Sequence, residues 1–469
     1  MKHRRIAPLI ISLMVTVALF LVAEFAVRLA GIQPMEWPAS EGWLPFRGIE
    51  VSPLLGPLPR PGWTGQWIGK FAVSADGRGF RSTGLPPPAA PRARVAFLGD
   101  SCTFGWGIDT PDTFVAQLDA RQRTAGAAAF DFVNAAYPGQ SAVVGTYLLR
   151  ERVLPLDPTL VVVGFSANNA FRFSVVSDAD RFRFFRVRKL MLHSRLFHIA
   201  AAWLANRTGA NLHPRSRDVI QKVPVRELKR VATAEEFETA LRRMVADTRS
   251  HGAVVLFLLL PRASGVSTEF GNEDAGRLAR QLLAADHRVA GSPPSSRELN
   301  LLEASCLDHR AFDDPMRTLY ERARDWHVVY PDDPVVRGFL QQGARAYVET
   351  RYAEAQQYFE SATATQPDVP LARYDLGVAK LANGNREGLQ DLAEADRLAC
   401  NVFLEHQVIL WRLAQELGVP VVDITLYFQA HDGEPLFLDP AHPNRNGHQI
   451  IAEALWPVIQ SLVPTDKRR

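Results

Sequence analysis

The stretch Arg94-Val95-Ala96-Phe97-Leu98-Gly99-Asp100-Ser101-Cys102-Thr103-Phe104-Gly105 governs the reading of everything around it. Val95 to Leu98 is a short unbroken apolar run, the pattern of a parallel strand buried on both faces, and Gly99 marks where that strand stops. Asp100 and Ser101 then fall at the carboxyl end of a central strand. In open α/β sheets ligands bind at that edge, because the loops converge there and the next helix directs its amide-rich N-terminus at the site. A serine placed there is a candidate nucleophile. Taken alone, Gly99-Asp100-Ser101 also reads as a turn followed by a helix cap, and the rest of the chain has to decide between the two.

The 469 residues are 47% hydrophobic and 22% charged, an ordinary globular composition with length for more than one domain. A net charge of +3 is too mild to argue for nucleic acid. Cys102, Cys306 and Cys400 lie far apart with no Cys-x-x-Cys spacing, so neither a zinc site nor a disulfide framework is read from them. No metal or organic cofactor is implied.

Lys2, Arg4 and Arg5 directly precede an uncharged apolar run from Ile6 to Ala23. Such a run is long enough to cross most of a bilayer as a helix, and its basic flank predicts a cytoplasmic N-terminus with the remainder outside the cytoplasmic membrane. A cleaved signal peptide is the competing reading, although Val22-Ala23-Glu24 is a poor cleavage pattern and the helix continues to Gly31. Residues 1–31 are therefore expected to form a cytoplasmic tip and an inner-membrane anchor, with the catalytic part periplasmic. Residues 32–74 are rich in Pro, Gly and Trp and read as an extracytoplasmic spacer with short edge strands. Ala75 to Arg81 looks like a turn leading into the catalytic domain.

Strands and helices then alternate. Helical spacing follows Ser101 from Asp112 to Arg123; Phe130 to Asn134 is a second strand, ending in a turn that contains Gly139. A helix over 142–153 precedes the strand Thr159 to Gly164, which ends in Ala167-Asn168-Asn169. This alternation means a doubly wound parallel sheet in a three-layer α/β/α fold, with residues 75–262 as its first part. The basic, aromatic run from Arg181 to Arg188 and a helix near 193–204 read as a cap over the site, as a surface lying on the membrane, or as a helix that packs its Phe and solvates its Arg. Ala234 to Ser250 is an amphipathic helix before the strand Ala253 to Leu260.

From 263 to 398 the alternation gives way to a helical insertion. Gly343, Ala355, Phe359, Ala362 and Pro367 fall at the small-residue and aromatic places of a tetratricopeptide repeat, and a second glycine follows at Gly377, where 377 − 343 = 34 is the expected period. The segment 336–396 thus resembles the tetratricopeptide family, with Pro315 to Trp326 expected to pack on it. It carries no catalytic residue and is expected to be dispensable for chemistry. Residues 399–469 resume the sheet: a helix from Val402 to Leu417, a strand from Val419 to Ile424, then Asp439-Pro440-Ala441-His442 and a closing helix from Gln449 to Leu462.

Four strand-end signals now occur in order: Gly99-Asp100-Ser101, Gly139, Ala167-Asn168-Asn169 and Asp439-x-x-His442. Here the sequence resembles the SGNH (GDSL-type) hydrolases, whose four motif blocks carry Ser, Gly, Asn and His. It resembles more closely their membrane-anchored bacterial branch, related to acyltransferases and acetylesterases of exported polysaccharides. The resemblance covers roughly residues 75 to 265 and 399 to 462. It departs at the third block, where Asn169 replaces the usual Asp.

Chemistry assigns the roles. Ser101 needs a base to take its proton, and the imidazole of His442 is the candidate for that; Asp439, three residues earlier, can orient it. The Ser101 amide, the Gly139 amide and the Asn168 side chain can donate to the oxyanion. His448 reads as structural, and His431 as part of a turn. The expected function is a serine esterase or O-acyltransferase acting on acetyl-type esters of a cell-surface or exported glycan. The alternative is an envelope scaffold that holds a protein partner through its tetratricopeptide-like helices.

Overall fold

The computed structural model describes residues 6–32, 48–52, 54–67, 70–88, 91, 93–124, 130–165, 172–174, 177–208, 229–260, 331, 333–398, 402–431, 435–438 and 441–463. Helix α1 (Ile6–Leu29) is followed by two antiparallel hairpins, β1 (Ile49–Ser52) with β2 (Gly56–Pro59) and β3 (Thr64–Trp67) with β4 (Phe71–Ser74). Then β5 (Ala93–Gly99) runs into the single-turn helix α2 (Ser101–Phe104), with α3 (Phe114–Thr124), β6 (Phe130–Asn134), α4 (Ala142–Leu148) and β7 (Leu160–Gly164) after it. The short pair β8 (Arg172–Ser174) and β9 (Lys229–Arg230) brackets α5 (Asp178–Phe182), α6 (Phe185–Leu192) and α7 (Arg195–Thr208). Helix α8 (Ala234–Ser250) leads into β10 (Val254–Leu259). Next come α9 (Pro334–Val348), α10 (Tyr352–Thr365), α11 (Pro370–Ala382), α12 (Gly388–Leu398) and α13 (Val402–Leu417). The last elements are β11 (Val421–Asp423), α14 (Ile424–Ala430) and α15 (Arg445–Leu462).

The central sheet is parallel throughout, in the order β11-β10-β7-β5-β6. From β5 the chain adds β6 on one side and then β7 on the other, so the topological switch point lies at the carboxyl end of β5. Crossovers of this kind are right-handed, which puts α3 and α4 on opposite faces of the sheet, and the β5 residues Val95 to Leu98 are fully buried. Strands buried on both faces need apolar side chains at every position, which is why Val95–Leu98 and Leu160–Val163 carry no polar alternation.

Three boundaries differ from expectation, each for a local reason. The last strand stops at Asp423 because the Asp423 carboxylate accepts from Thr425 N at 3.0 Å and so opens α14 there. The closing helix begins at Arg445, four residues early, because Asn444 caps it by accepting from Gly447 N at 3.0 Å. The helix after Ser141 ends at Leu148 and continues as a wider π turn over Leu149–Val153.

The expected transmembrane anchor is not found: among the described residues no helix is long and apolar enough to cross a membrane. The stretch is nonetheless helical as α1, with the side chains of residues 1–10 and 13 outside the described set. Its C-terminal turns are clamped to the α6–α7 corner. Glu24 accepts from Ser194 Oγ at 2.9 Å and from the amides of Arg195 and Leu196 at 3.0 Å each, while Arg28 donates to Glu24 and to the His193 carbonyl. The supposed spacer is likewise more than a spacer, since Trp67, Phe71 and Val73 of the second hairpin pack on Phe104 and Tyr137 beside the carboxyl edge of the sheet.

The four helices α9 to α12 form two successive antiparallel pairs. Close approach explains two glycines one period apart: a Cβ on Gly343 would lie 2.4 Å from the Phe359 ring, and one on Gly377 would lie 2.7 Å from the Gly388 carbonyl. These helices are not a free appendage. Tyr374 Oη donates to Asp423 at 2.6 Å, Gln429 donates to Asp375 at 3.1 Å, and Tyr347 meets Tyr427 edge to face. These contacts argue against the expectation that the insertion can be cut away, because its polar partners are buried at the edge of the sheet. Pro315 to Trp326, Cys306 and Cys400 lie outside the described residues.

Candidate active site

A lone helical turn is not stable by itself, so α2 must be held from outside. Its entry is fixed by Gly99, where a Cβ would stand 2.2 Å from Thr103 Oγ1 and 2.4 Å from the Gly164 carbonyl. Asp100, fully buried, caps the turn by accepting from Cys102 N at 3.0 Å. Thr103 Oγ1 donates to the Gly164 carbonyl at 2.6 Å, tying the turn to the end of β7. Gly105, at φ 87°, ends it in the left-handed conformation that glycine tolerates.

The carbonyls left open at the end of α2 have buried partners. Asn134, the last residue of β6, donates to Thr103 and Phe104, and its own oxygen accepts from Ala136 N. The guanidinium of Arg81 donates to Phe104 O at 2.9 Å, to Gly105 O at 2.7 Å and to Ile108 O, while its Cζ lies 4.5 Å from the Phe104 ring centroid. Burial pulls the Arg81 pKa down to about 9, against the opposing charge of Asp109, so it remains a cation at neutral pH. Arg81 thus holds the turn that carries Ser101 from beneath.

His442 reaches the same point from the other end of the chain. Its Nε2 lies 2.8 Å from Ser101 Oγ. The loop that carries it is folded on itself by Leu438 N donating to His442 O and by Asn444 N donating to Leu436 O. Cys102 Sγ contacts the Ala441 carbonyl at 3.2 Å, so the Ser101 turn and the His442 loop also touch directly. At Gly447 a Cβ would come within 2.5 Å of the Leu436 carbonyl, which is why α15 can seat so close beneath the loop.

The structure therefore brings Ser101 and His442 together. Gly139, at φ 75°, stands in the turn after β6, and that loop is drawn toward the end of β5 and Ser101 by Tyr137 N donating to Gly99 O at 3.2 Å. Asn168, Asn169 and Asp439 lie outside the described residues. Sequence reasoning missed Arg81, Thr103 and Asn134. Only Thr103 had a local signal, as a hydroxyl on the same turn as the serine.

His448 is structural, as its position suggested. It is fully buried and stacks on Phe114 with ring centroids 5.6 Å apart, and its Nδ1 accepts from Phe114 N at 3.1 Å. Burial first, then the charge of Arg81 and the nearby His442, depress its pKa to about 3. The folded state thus disfavours the charged ring. Between the ordinary histidine value near 6.5 and about 3 the unfolded chain binds more protons, and stability falls as pH falls. The expected cost is about 1.4 kcal/mol per pH unit in that window. His448→Gln keeps an acceptor for Phe114 N without the titration, so urea unfolding from pH 7 down to 4 should show a shallower acid slope; an unchanged slope would assign the effect elsewhere.

Comparison with known proteins gives one family match: residues 97–293 match the GDSL-like lipase/acylhydrolase family. The match spans Ser101 and Gly139 but not the His442 loop, which the fold itself supplies. None of the curated proteins compared matches the chain. Among solved structures, similarity is found to an acetylxylan esterase from Geobacillus stearothermophilus, at 13% identity and a TM-score of 0.33 over 81% of this chain and 99% of that one. It is found also to a lipase/acylhydrolase from Enterococcus faecalis, at 12% identity and a TM-score of 0.32 over 80% and 99%. An acetyl xylan esterase gives 12% identity and a TM-score of 0.34 over 78% and 99%.

Proposed function

Because this chain belongs over residues 97–293 to the GDSL-like lipase/acylhydrolase family and is a serine ester hydrolase of that family, we propose that it removes or transfers an acetyl-type acyl group borne by a carbohydrate outside the cytoplasm. The observation that carries the chemistry is the 2.8 Å approach of His442 Nε2 to Ser101 Oγ. At that distance the imidazole takes the hydroxyl proton as the oxygen attacks the ester carbonyl. The carbonyl carbon becomes tetrahedral, and its oxyanion is received by the Ser101 and Gly139 amides and the Asn168 side chain. Asp439 stabilises the imidazolium. His442 then returns the proton to the leaving alcohol oxygen, which departs and leaves Ser101 acylated. Water, or a second sugar hydroxyl, reverses the sequence. Hydrolysis and transfer differ only in that acceptor.

The proposed extracytoplasmic placement rests on the sequence through α1 and the basic residues before it, not on a spanning helix among the described residues. The α1 side chains from Leu19 to Val22 are apolar and exposed at four consecutive positions, so that surface is apolar all round. The basic residues Lys2, Arg4 and Arg5 precede it, which favours a cytoplasmic N-terminus.

The chemistry is tested by quenching the full-length protein, in detergent, during turnover of 4-nitrophenyl acetate and mapping adducts by peptide mass. An acetyl group on Ser101, absent in Ser101→Ala, is the expected result. Turnover undiminished in Ser101→Ala would overturn the assignment.

A further inference from the structure

The turn that follows the nucleophile presents an indole beside the catalytic imidazole. The ring centroids of Trp106 and His442 are 6.2 Å apart, with planes inclined by 37°. Trp106 is only partly buried. It is nevertheless fixed on several sides. Its amide donates to Ser101 O at 2.9 Å, and it stands between two left-handed glycines, Gly105 and Gly107. A Cβ on Gly107 would lie 2.5 Å from Leu438 Cδ1, so the His442 loop closes directly onto this turn. On another side the ring meets Phe71 of β4 at 5.5 Å and 67°. Nothing in the proton transfer described above uses this ring.

Its place relative to His442 says which half of an ester it meets. The imidazole that deprotonates Ser101 must later protonate the alcohol oxygen, so the alcohol half of the substrate lies on the imidazole side of the scissile bond. We propose that Trp106 is the platform on which that alcohol half stacks, and that the alcohol is a sugar ring laying its C–H face on the indole. A preorganised flat ring suits a rigid partner with one apolar face and a polar rim, whereas an alkyl chain needs enclosing walls. This rests on the carbohydrate reading above and adds the residue that selects for it.

The test uses full-length protein with two esters, xylose tetraacetate and ethyl acetate, followed by pH-stat titration for the wild type, Trp106→Phe and Trp106→Ala. In Trp106→Ala, kcat/KM on the sugar ester should fall by about tenfold or more, chiefly through KM, while ethyl acetate changes by less than about twofold. Trp106→Phe should retain most of the sugar activity, and the pH profile should not move in either variant. Equal loss on both esters, or a shifted pH profile, would show that Trp106 serves only to position His442. Unchanged activity on the sugar ester would equally overturn the proposal. Wild-type protein that cleaves ethyl acetate but not xylose tetraacetate would refute the carbohydrate reading, and this assignment with it, before any variant is compared. Melting temperatures of the variants identify a simple folding defect, in which case the Trp106→Phe comparison decides.

Discussion

Full-length protein carrying His442→Ala is expected to lose ester turnover by about 10⁴-fold or more, and its Ser101 to stop reacting with a fluorophosphonate probe. The reason lies in the 2.8 Å contact between His442 Nε2 and Ser101 Oγ. A serine hydroxyl is a poor nucleophile at neutral pH, and the imbalance is corrected only by a base within hydrogen-bond reach. Removing the base therefore leaves the hydroxyl nearly as inert as removing the hydroxyl itself. The losses in Ser101→Ala and His442→Ala should be similar, and the double variant no worse than either, which is the mark of groups acting as one unit. Probe labelling separates this from a folding defect, since labelling depends on the nucleophile and can be read beside a melting curve. Full labelling of Ser101 in the His442→Ala protein would mean that another group takes the proton.

Much of this site was legible from periodicity and strand ends. A continuous apolar run such as Val95–Leu98 has few structural solutions, and a parallel strand buried on both faces is the commonest. Once β5 is placed, Ser101 must fall at the binding edge, and the recurrence of strand ends brings Gly139 to the neighbouring position. His442 lies 341 residues further on and was reached through a motif rather than through periodicity. The supporting residues were beyond the sequence for a different reason. Arg81 reads as one more arginine in a turn, and only the fold shows its guanidinium enclosed against the carbonyls of Phe104, Gly105 and Ile108. Asn134 reads as the end of a strand; that its amide reaches across to α2 depends on the register of β6 against β5. Such contacts follow from tertiary placement, to which local pattern is blind.

The same blindness concealed how the inserted helices are attached, and it leads to an expectation opposite to the one the sequence suggested. Replacing residues 331–398 by a short linker should leave a chain that neither unfolds cooperatively nor labels at Ser101. Asp423, buried at the end of β11, accepts from Tyr374 Oη at 2.6 Å, from Trp411 Nε1 at 3.0 Å and from Thr425 N at 3.0 Å. Burial raises its pKa, and these donors oppose that shift. Without α11 the carboxylate loses its shortest partner, and Gln429 loses Asp375. Helix α14 loses the cover of Tyr347 as well. That matters at the active site because α14 carries Phe428, which packs on Phe437 at 5.3 Å, immediately before the His442 loop. Point variants grade the effect. Tyr374→Phe removes one donor and should cost about 1–2 kcal/mol, while Asp423→Ala strands three donors and should cost about 3–5 kcal/mol, both read from urea unfolding. A linker variant that melts as sharply as the full chain and still labels at Ser101 would show that the sheet closes its own edge, and the helices would then return to being an appendage.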